Sequence, residues 1–259
     1  MARRRSRLTR RHLGVATLAA ALGTSLRAGA FGEEGAFHPR LLLTGTRQPD
    51  RRRRTALGRW STEVVGRTSS PARLGPTTVR ADGPPLLAEP FAVWSGSKAP
   101  EPLTAREVSW LQRYVAMGGI LLVDDEEPGE GSFLRGAKEQ IARVVPDGSP
   151  IPIGDENVVF RSFYLLRKAT GRIQKEVRLE AIVRAGMTQI IFSPNDLLGA
   201  LARDPGGGHP FEAVPGGESQ REQAVRLAVN IAMYVLCSNY KDDQVHAPFL
   251  MRRRGSESP

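Results

Sequence analysis

Apolar positions recur along this chain at two spacings, and the changes between them mark out strands and helices. Residues 40–44 (RLLLT) form a short, nearly unbroken apolar run, as expected of a strand covered on both faces. A helix is predicted over 51–65. The Pro-rich stretch 71–76 then breaks the pattern, and TTVRA at 77–81 reads as a second short strand. Pro84 and Pro85 open a loop before a third strand at 91–94. The best-defined unit follows. Thr104 and Glu107 have the T-x-x-E spacing of a capping box, whose hydroxyl and carboxylate satisfy the first free amides of a helix. Val108, Leu111, Tyr114 and Val115 recur at helical spacing as its buried stripe, and Gly118-Gly119 stop it by allowing a left-handed turn. An apolar run at 120–123 comes next, so this stretch is strand, helix, strand with short connections, which predicts a right-handed parallel crossover.

Further along, 138–144 reads as a helix and 160–166 as a strand or irregular segment. EAIVRAGMTQIIFS reads as two strands around Ala185-Gly186, the second at 189–192. The Gly- and Pro-rich stretch 203–218 is an irregular loop. Ser219 and Glu222 have the spacing of a second capping box, opening an apolar helix to about Cys237. Arg226 and Asn230 interrupt its apolar run, so it is a docking helix and not a membrane span. With no internal repeat, the pattern predicts one α/β domain over 31–240 with a mostly parallel sheet.

Charge changes the picture mainly at the ends. The formal net charge is +10, but seven Arg and no acidic residue lie within the first 30 positions; without them 30 basic residues face 27 acidic ones. The body is close to neutral and shows no basic groove with interleaved aromatics, which argues against a nucleic-acid partner. Residues 1–30 have a basic start, a short apolar middle and small residues at the end, the grammar of an export signal. Arg10-Arg11-His12-Leu13 matches the twin-arginine type, and Ala28-Gly29-Ala30 offers a cleavage site. The expected location is periplasm or cell envelope, with membrane anchoring by an uncleaved signal as the alternative. Residues 241–259 read as a basic, disordered tail. Cys237 is the only cysteine, so no intramolecular disulfide and no Cys-based zinc site can form. Its place in MYVLC reads as a small core residue.

The series LTAREVSWLQRYVAMGGILLVDD, FRSFYLL, IIFSPNDL and LAVNIAMYVL resembles the bacterial domain of unknown function 4159 over residues 37–240. The resemblance implies a three-layer, flavodoxin-like sandwich of the class I glutamine amidotransferase-like type, with no established activity. It also implies a setting beside MoxR-type ATPases and von Willebrand factor A-type envelope proteins. The chain departs from the family where Ser95-Gly96-Ser97 follows the third strand and Glu156-Asn157-Val158 precedes the aromatic segment. Relatives often carry His at those places, so His-dependent chemistry is not expected here.

Glutaminase chemistry needs a Cys on a tight turn after a central strand, activated by His and a carboxylate. Cys237 cannot fill that role, and no G-x-S-x-G elbow replaces it. Asp124 and Asp125 end one predicted strand, and Asn195 and Asp196 follow another. In open parallel sheets ligands sit beyond the carboxyl ends of the strands. If the two strands are neighbours, three carboxylates and an amide share one rim. Such a rim could take Mg²⁺ or Ca²⁺, with Asp124, Asp125 and Asp196 as ligands, or, together with Ser95, a polar ligand or partner. An EF-hand starting at Asp124 fails, because Pro128 and Arg135 fall on ligand positions. The plainer reading is that these residues cap loops and helices. Arg51 to Arg54 read as a solvated helix start, and the Gly206-Gly207-Gly208-His209 run lacks the Lys of a phosphate loop. Trp60, Trp94 and Trp110 read as core or partner-facing anchors, and His38, His209 and His246 have no metal-ligand spacing. Two functions remain: a non-catalytic binding domain of the cell envelope without a cofactor, and a metal-assisted hydrolase using the acidic rim.

Overall fold

The computed structural model describes residues 35–46 and 51–255, with side chains at 35–46 and 53–238. Among them are seven strands: β1 (Arg40–Leu43), β2 (Thr77–Arg80), β3 (Phe91–Gly96), β4 (Ile120–Asp125), β5 (Ile151–Ile153), β6 (Leu179–Arg184) and β7 (Met187–Ser193). They form one sheet in the order β2-β1-β3-β4-β7-β6-β5. Neighbours from β2 to β7 run parallel, and β6 and β5 are added antiparallel at one edge. The helices are α1 (Arg51–Thr68), α2 (Ala105–Ala116), α3 (Ser132–Val144), α4 (Leu197–Leu201) and α5 (Gly217–Gly255). The expected α/β domain with a mostly parallel sheet is what the chain forms.

Alternation along the strands supplies both faces of the sheet. Leu41, Phe91, Val93, Ile120, Leu122 and Ile191 join a core with Leu57, Trp60 and Val64 of α1 and with α4 and α5. Their neighbours Leu42, Ala92, Trp94, Leu121, Val123 and Phe192 pack against Leu111 and Tyr114 of α2 and Phe133 and Ile141 of α3. Both faces are therefore covered, which is why β3 and β4 are buried at every position. Trp60 and Trp94 are core residues.

The α2 unit forms as its spacing requires. Thr104 Oγ1 accepts from Glu107 N (3.2 Å) while Glu107 Oε2 accepts from Thr104 N (2.8 Å). Gly118 ends the helix at φ 85°. Gly119 admits the Tyr114 ring, since a Cβ there would lie 2.6 Å from it. Tyr114 Oη in turn donates between Pro90 O and Ile120 O, tying the helix to the strand on either side. Ala185 (φ 48°) and Gly186 (φ 78°) make the two-residue turn between β6 and β7, with both residues left-handed as such hairpins need.

Other expectations need correction. α3 begins at Ser132 and not at 138, because Gly136 obscures the helical spacing. That glycine lets Ala99 and Pro100 approach to 2.9–3.2 Å of where its Cβ would be. β5 carries a central proline that hides it, and proline is tolerated there because the strand is an edge. Residues 161–166 are irregular, after a single 3-10 turn at Val158–Phe160. No box forms at Ser219: α5 starts at Gly217, and Glu222 pairs with Arg67 and Arg226 instead. Cys237 is exposed on α5, since the buried face there is carried by Tyr234 and Val235. α5 continues to Gly255 through most of the stretch expected to be a tail, as extending a docked helix costs far less than starting one. No helix among the described residues is long and apolar enough to cross a membrane. The expected export signal over 1–30 lies outside the described residues, as do 256–259.

Candidate functional site

β4 and β7 are neighbours, in register from Leu121↔Ile190 to Asp124↔Ser193, and β3 lies on the other side of β4 with Ser95↔Asp124 and Gly96↔Asp125. The condition for a shared rim is therefore met. Asp124, Asp125, Asn195 and Asp196 are all buried at the carboxyl ends of the central strands.

Asp124 faces the start of α4. Its Oδ1 accepts from Leu197 N and its Oδ2 from Leu198 N, both at 2.8 Å. Burial raises its pKa to about 6, against the pull of those two amides and the Ser193 hydroxyl. Asp196 precedes the same helix at φ 56°, a left-handed conformation that Asp tolerates, and its Oδ1 accepts from Gly199 N (2.9 Å). Both of its oxygens are also ion-paired, one with Arg53 of α1 and the other with Arg172 of the loop before β6. A Cβ on Gly199 would sit 2.1 Å from Asp196 Oδ2 and 2.6 Å from Arg53 Nη1, so glycine alone fits this cluster.

The two guanidinium groups continue the network. Arg53 and Arg172 each donate toward Glu126 O (3.4 and 3.3 Å) and lie over the Phe211 ring, 4.5 and 5.7 Å from its centroid. Burial and the neighbouring Arg53 charge lower the Arg172 pKa. Asn195 does not face a ligand. Its Oδ1 accepts from Lys175 N and Glu176 N, and its Nδ2 donates to Glu176 O, clamping the 169–176 loop against β7. Ser95 Oγ donates to Glu126 Oε1 at 2.9 Å, so the Ser stands beside a carboxylate with no histidine.

Asp125 is different. Its Oδ1 accepts from Glu127 N (3.0 Å), closing a turn, but its Oδ2 is buried with no hydrogen-bond partner among the described residues. Burial raises its pKa, against the Glu127 amide, the Lys175 ammonium and the Leu134 amide in the first turn of α3.

This arrangement does not fit a divalent cation. Such an ion needs several convergent oxygens. Both oxygens of Asp124 and of Asp196 already accept protein donors, and two of those donors are cations that oppose a metal. Among the described residues no group of three or more His, Cys, Asp or Glu is placed to hold one. The histidines are elsewhere: His38 meets Glu89 and Thr77, and His209 meets Ala202 O and Glu218. The side chain of His246 is outside the described set.

Sequence reasoning missed Arg53 and Arg172. Arg53 stands in the run read as solvated, yet it is buried. No spacing links positions 53, 172 and 196; only the fold brings them together.

A mostly parallel sheet covered on both faces, with a polar cluster closed at its carboxyl end, defines the class as an α/β domain. The chain matches the domain of unknown function DUF4159 over residues 41–236 and belongs to that family. No curated protein matches it.

Proposed function

We propose that this chain is an exported, non-catalytic α/β domain that binds a ligand or a protein partner in the cell envelope. The observation that carries this reading is that the rim's charges are consumed by the fold. Asp124 caps α4, Asp196 holds two arginines and Asn195 clamps a loop, which leaves only the Asp125 Oδ2 without a donor, with no histidine, cysteine or second open carboxylate beside it to complete a catalytic or metal-ligand set among the described residues. The parallel order β2-β1-β3-β4-β7 supports a flavodoxin-like sheet of the class I glutamine amidotransferase-like type, without that class's Cys. In such sheets the crevice opens where successive strands turn to opposite sides, here between β1 and β3. A cavity of about 300 Å³ lies there, lined by Thr44, Trp94, Ser97, Lys98, Pro100 and Glu101. Ser95 does not line it, and it is a suitable place for a small polar ligand. The basic, apolar, small-residue grammar of 1–30 supports twin-arginine export, and the family resemblance supports a MoxR-type ATPase or von Willebrand A-type protein as partner.

The deciding experiment is thermal unfolding with and without millimolar Mg²⁺ or Ca²⁺. A bound ion would raise the melting temperature by mass action. We expect no change. A rise that disappears in Asp125→Asn would overturn the binding reading and favour a metal-assisted hydrolase. Export is tested separately by fusing residues 1–35 to a folded reporter: it should reach the periplasm, and changing Arg10 and Arg11 to Lys should retain it in the cytoplasm.

A further inference from the structure

The loop between β5 and β6 exposes large apolar side chains. Leu165 is 88% exposed, Val158 50% and Phe163 43%, whereas Val159, Phe160 and Leu166, interleaved with them, are buried. The outward set is held in place. Leu166 N donates to Phe160 O (2.9 Å) and Ser162 Oγ to Val158 O (2.8 Å), closing the loop on itself. Asn230 of α5 grips the backbone on both sides of Tyr164, accepting from its N (2.7 Å) and donating to its O (2.8 Å). The Phe163 ring meets the Tyr164 ring edge-on at 4.9 Å. Leu165 thus projects from an anchored turn; one exposed leucine would be ordinary, but Val158, Phe163 and Leu165 together put three large apolar side chains outward on one short loop, and such a group marks an interaction surface.

Charge selects the partner. From Asn157 to Lys175 the chain has no acidic residue but carries Arg161, Arg167, Lys168, Arg172 and Lys175. Arg161, Arg167 and Lys168 are exposed among the apolar tips. The nearest acids before the loop are Asp155 and Glu156, and the Glu156 carboxylate is turned back onto Gly154 N (2.9 Å). Separate apolar tips on a projecting turn, flanked by long basic side chains, match a bilayer surface: the tips enter the acyl boundary and the cations stay at anionic headgroups. A protein partner would have to present a fitted pocket for each separate tip, whereas a fluid bilayer takes all of them without one.

We propose that the 158–168 loop docks this domain onto an anionic lipid surface, with Phe163 and Leu165 inserted and Arg161, Arg167 and Lys168 at the headgroups. This proposal does not rest on the functional reading above and can fail independently of it. The test is local, because the Arg-rich residues 1–30 would also draw the full chain to anionic vesicles. In full-length Leu165→Trp, adding phosphatidylglycerol/phosphatidylcholine vesicles should shift the new fluorescence to shorter wavelength. Brominated acyl chains should quench it, and pure phosphatidylcholine should do far less. Leu165→Ser should weaken vesicle affinity by about tenfold or more, the loss expected for one buried leucine, with an unchanged circular dichroism spectrum. Added to Leu165→Trp, Arg167→Glu with Lys168→Glu should remove most of the fluorescence shift and quenching on anionic vesicles, even where residues 1–30 still hold the chain to them. If the fluorescence introduced by Leu165→Trp is left unquenched by the brominated vesicles, the proposal is overturned. So it is by a shift that grows with protein concentration in the absence of lipid, which would assign the loop to a second copy.

Discussion

The polar cluster at the carboxyl end of the sheet and the loop at 158–168 both reverse the usual distribution of residues, one burying charge and the other exposing leucine. They differ in closure. At the rim nearly every charged oxygen meets a donor within the protein, whereas nothing among the described residues covers Leu165. The difference teaches that an unusual residue points to a partner only when the fold has left it unmatched. By that measure the acidic run of β4, conspicuous as a sequence, is mostly internal architecture, and the less conspicuous FRSFYLLRK stretch is the open surface.

The largest loss is expected at Asp196. Asp196→Asn keeps a residue that tolerates the left-handed backbone and can still cap α4, but it leaves Arg53 and Arg172 without their carboxylate. Removing one partner from a buried ion pair costs about 3–5 kcal/mol, so urea denaturation should show a loss of that size. A loss under about 1 kcal/mol would mean the cluster is solvated and open, like the loop.

Asp124 gives a smaller, pH-dependent effect. Its folded-state pKa, about 6, lies above the ordinary value of 3.8. Between those values the unfolded chain has released the proton while the native state keeps it, so this group's contribution to stability falls as pH rises from about 4 to 6. Below about pH 4 the penalty is absent. Two pKa units correspond to on the order of 3 kcal/mol. Asp124→Asn should remove that downward slope from the parent's stability profile, measured by denaturation at each pH. Equal slopes in parent and variant would show that Asp124 ionises freely. Glu222 works in the opposite sense: pairing with Arg67 lowers its pKa to about 2, so its stabilisation is present above about pH 4.5 and is lost as pH falls through 2.

The smallest expected effect on folding is at the loop. Leu165→Ser should change stability by less than about 0.5 kcal/mol, the ordinary range for a surface position. A larger loss would mean that Leu165 packs against the fold and would close the contrast between the two regions.

The α/β class, the α2 unit with its capping box and glycine stop, and the β6–β7 hairpin were all legible in the residue pattern. These rest on contacts between residues close in the chain, where spacing is the physical signal. The pattern also placed Asp124, Asp125, Asn195 and Asp196 at or just after the ends of two predicted strands; that these strands are neighbours came from the fold. What those groups do depends on contacts that the folded chain alone brings together. Arg53 reaches Asp196 across 143 positions and Asn230 reaches Tyr164 across 66. Whether a charge is satisfied or an apolar side chain is covered depends on such distant partners. The same carboxylate reads as a ligand or as a cap until the donors facing it are known, because its own chemistry is identical in both.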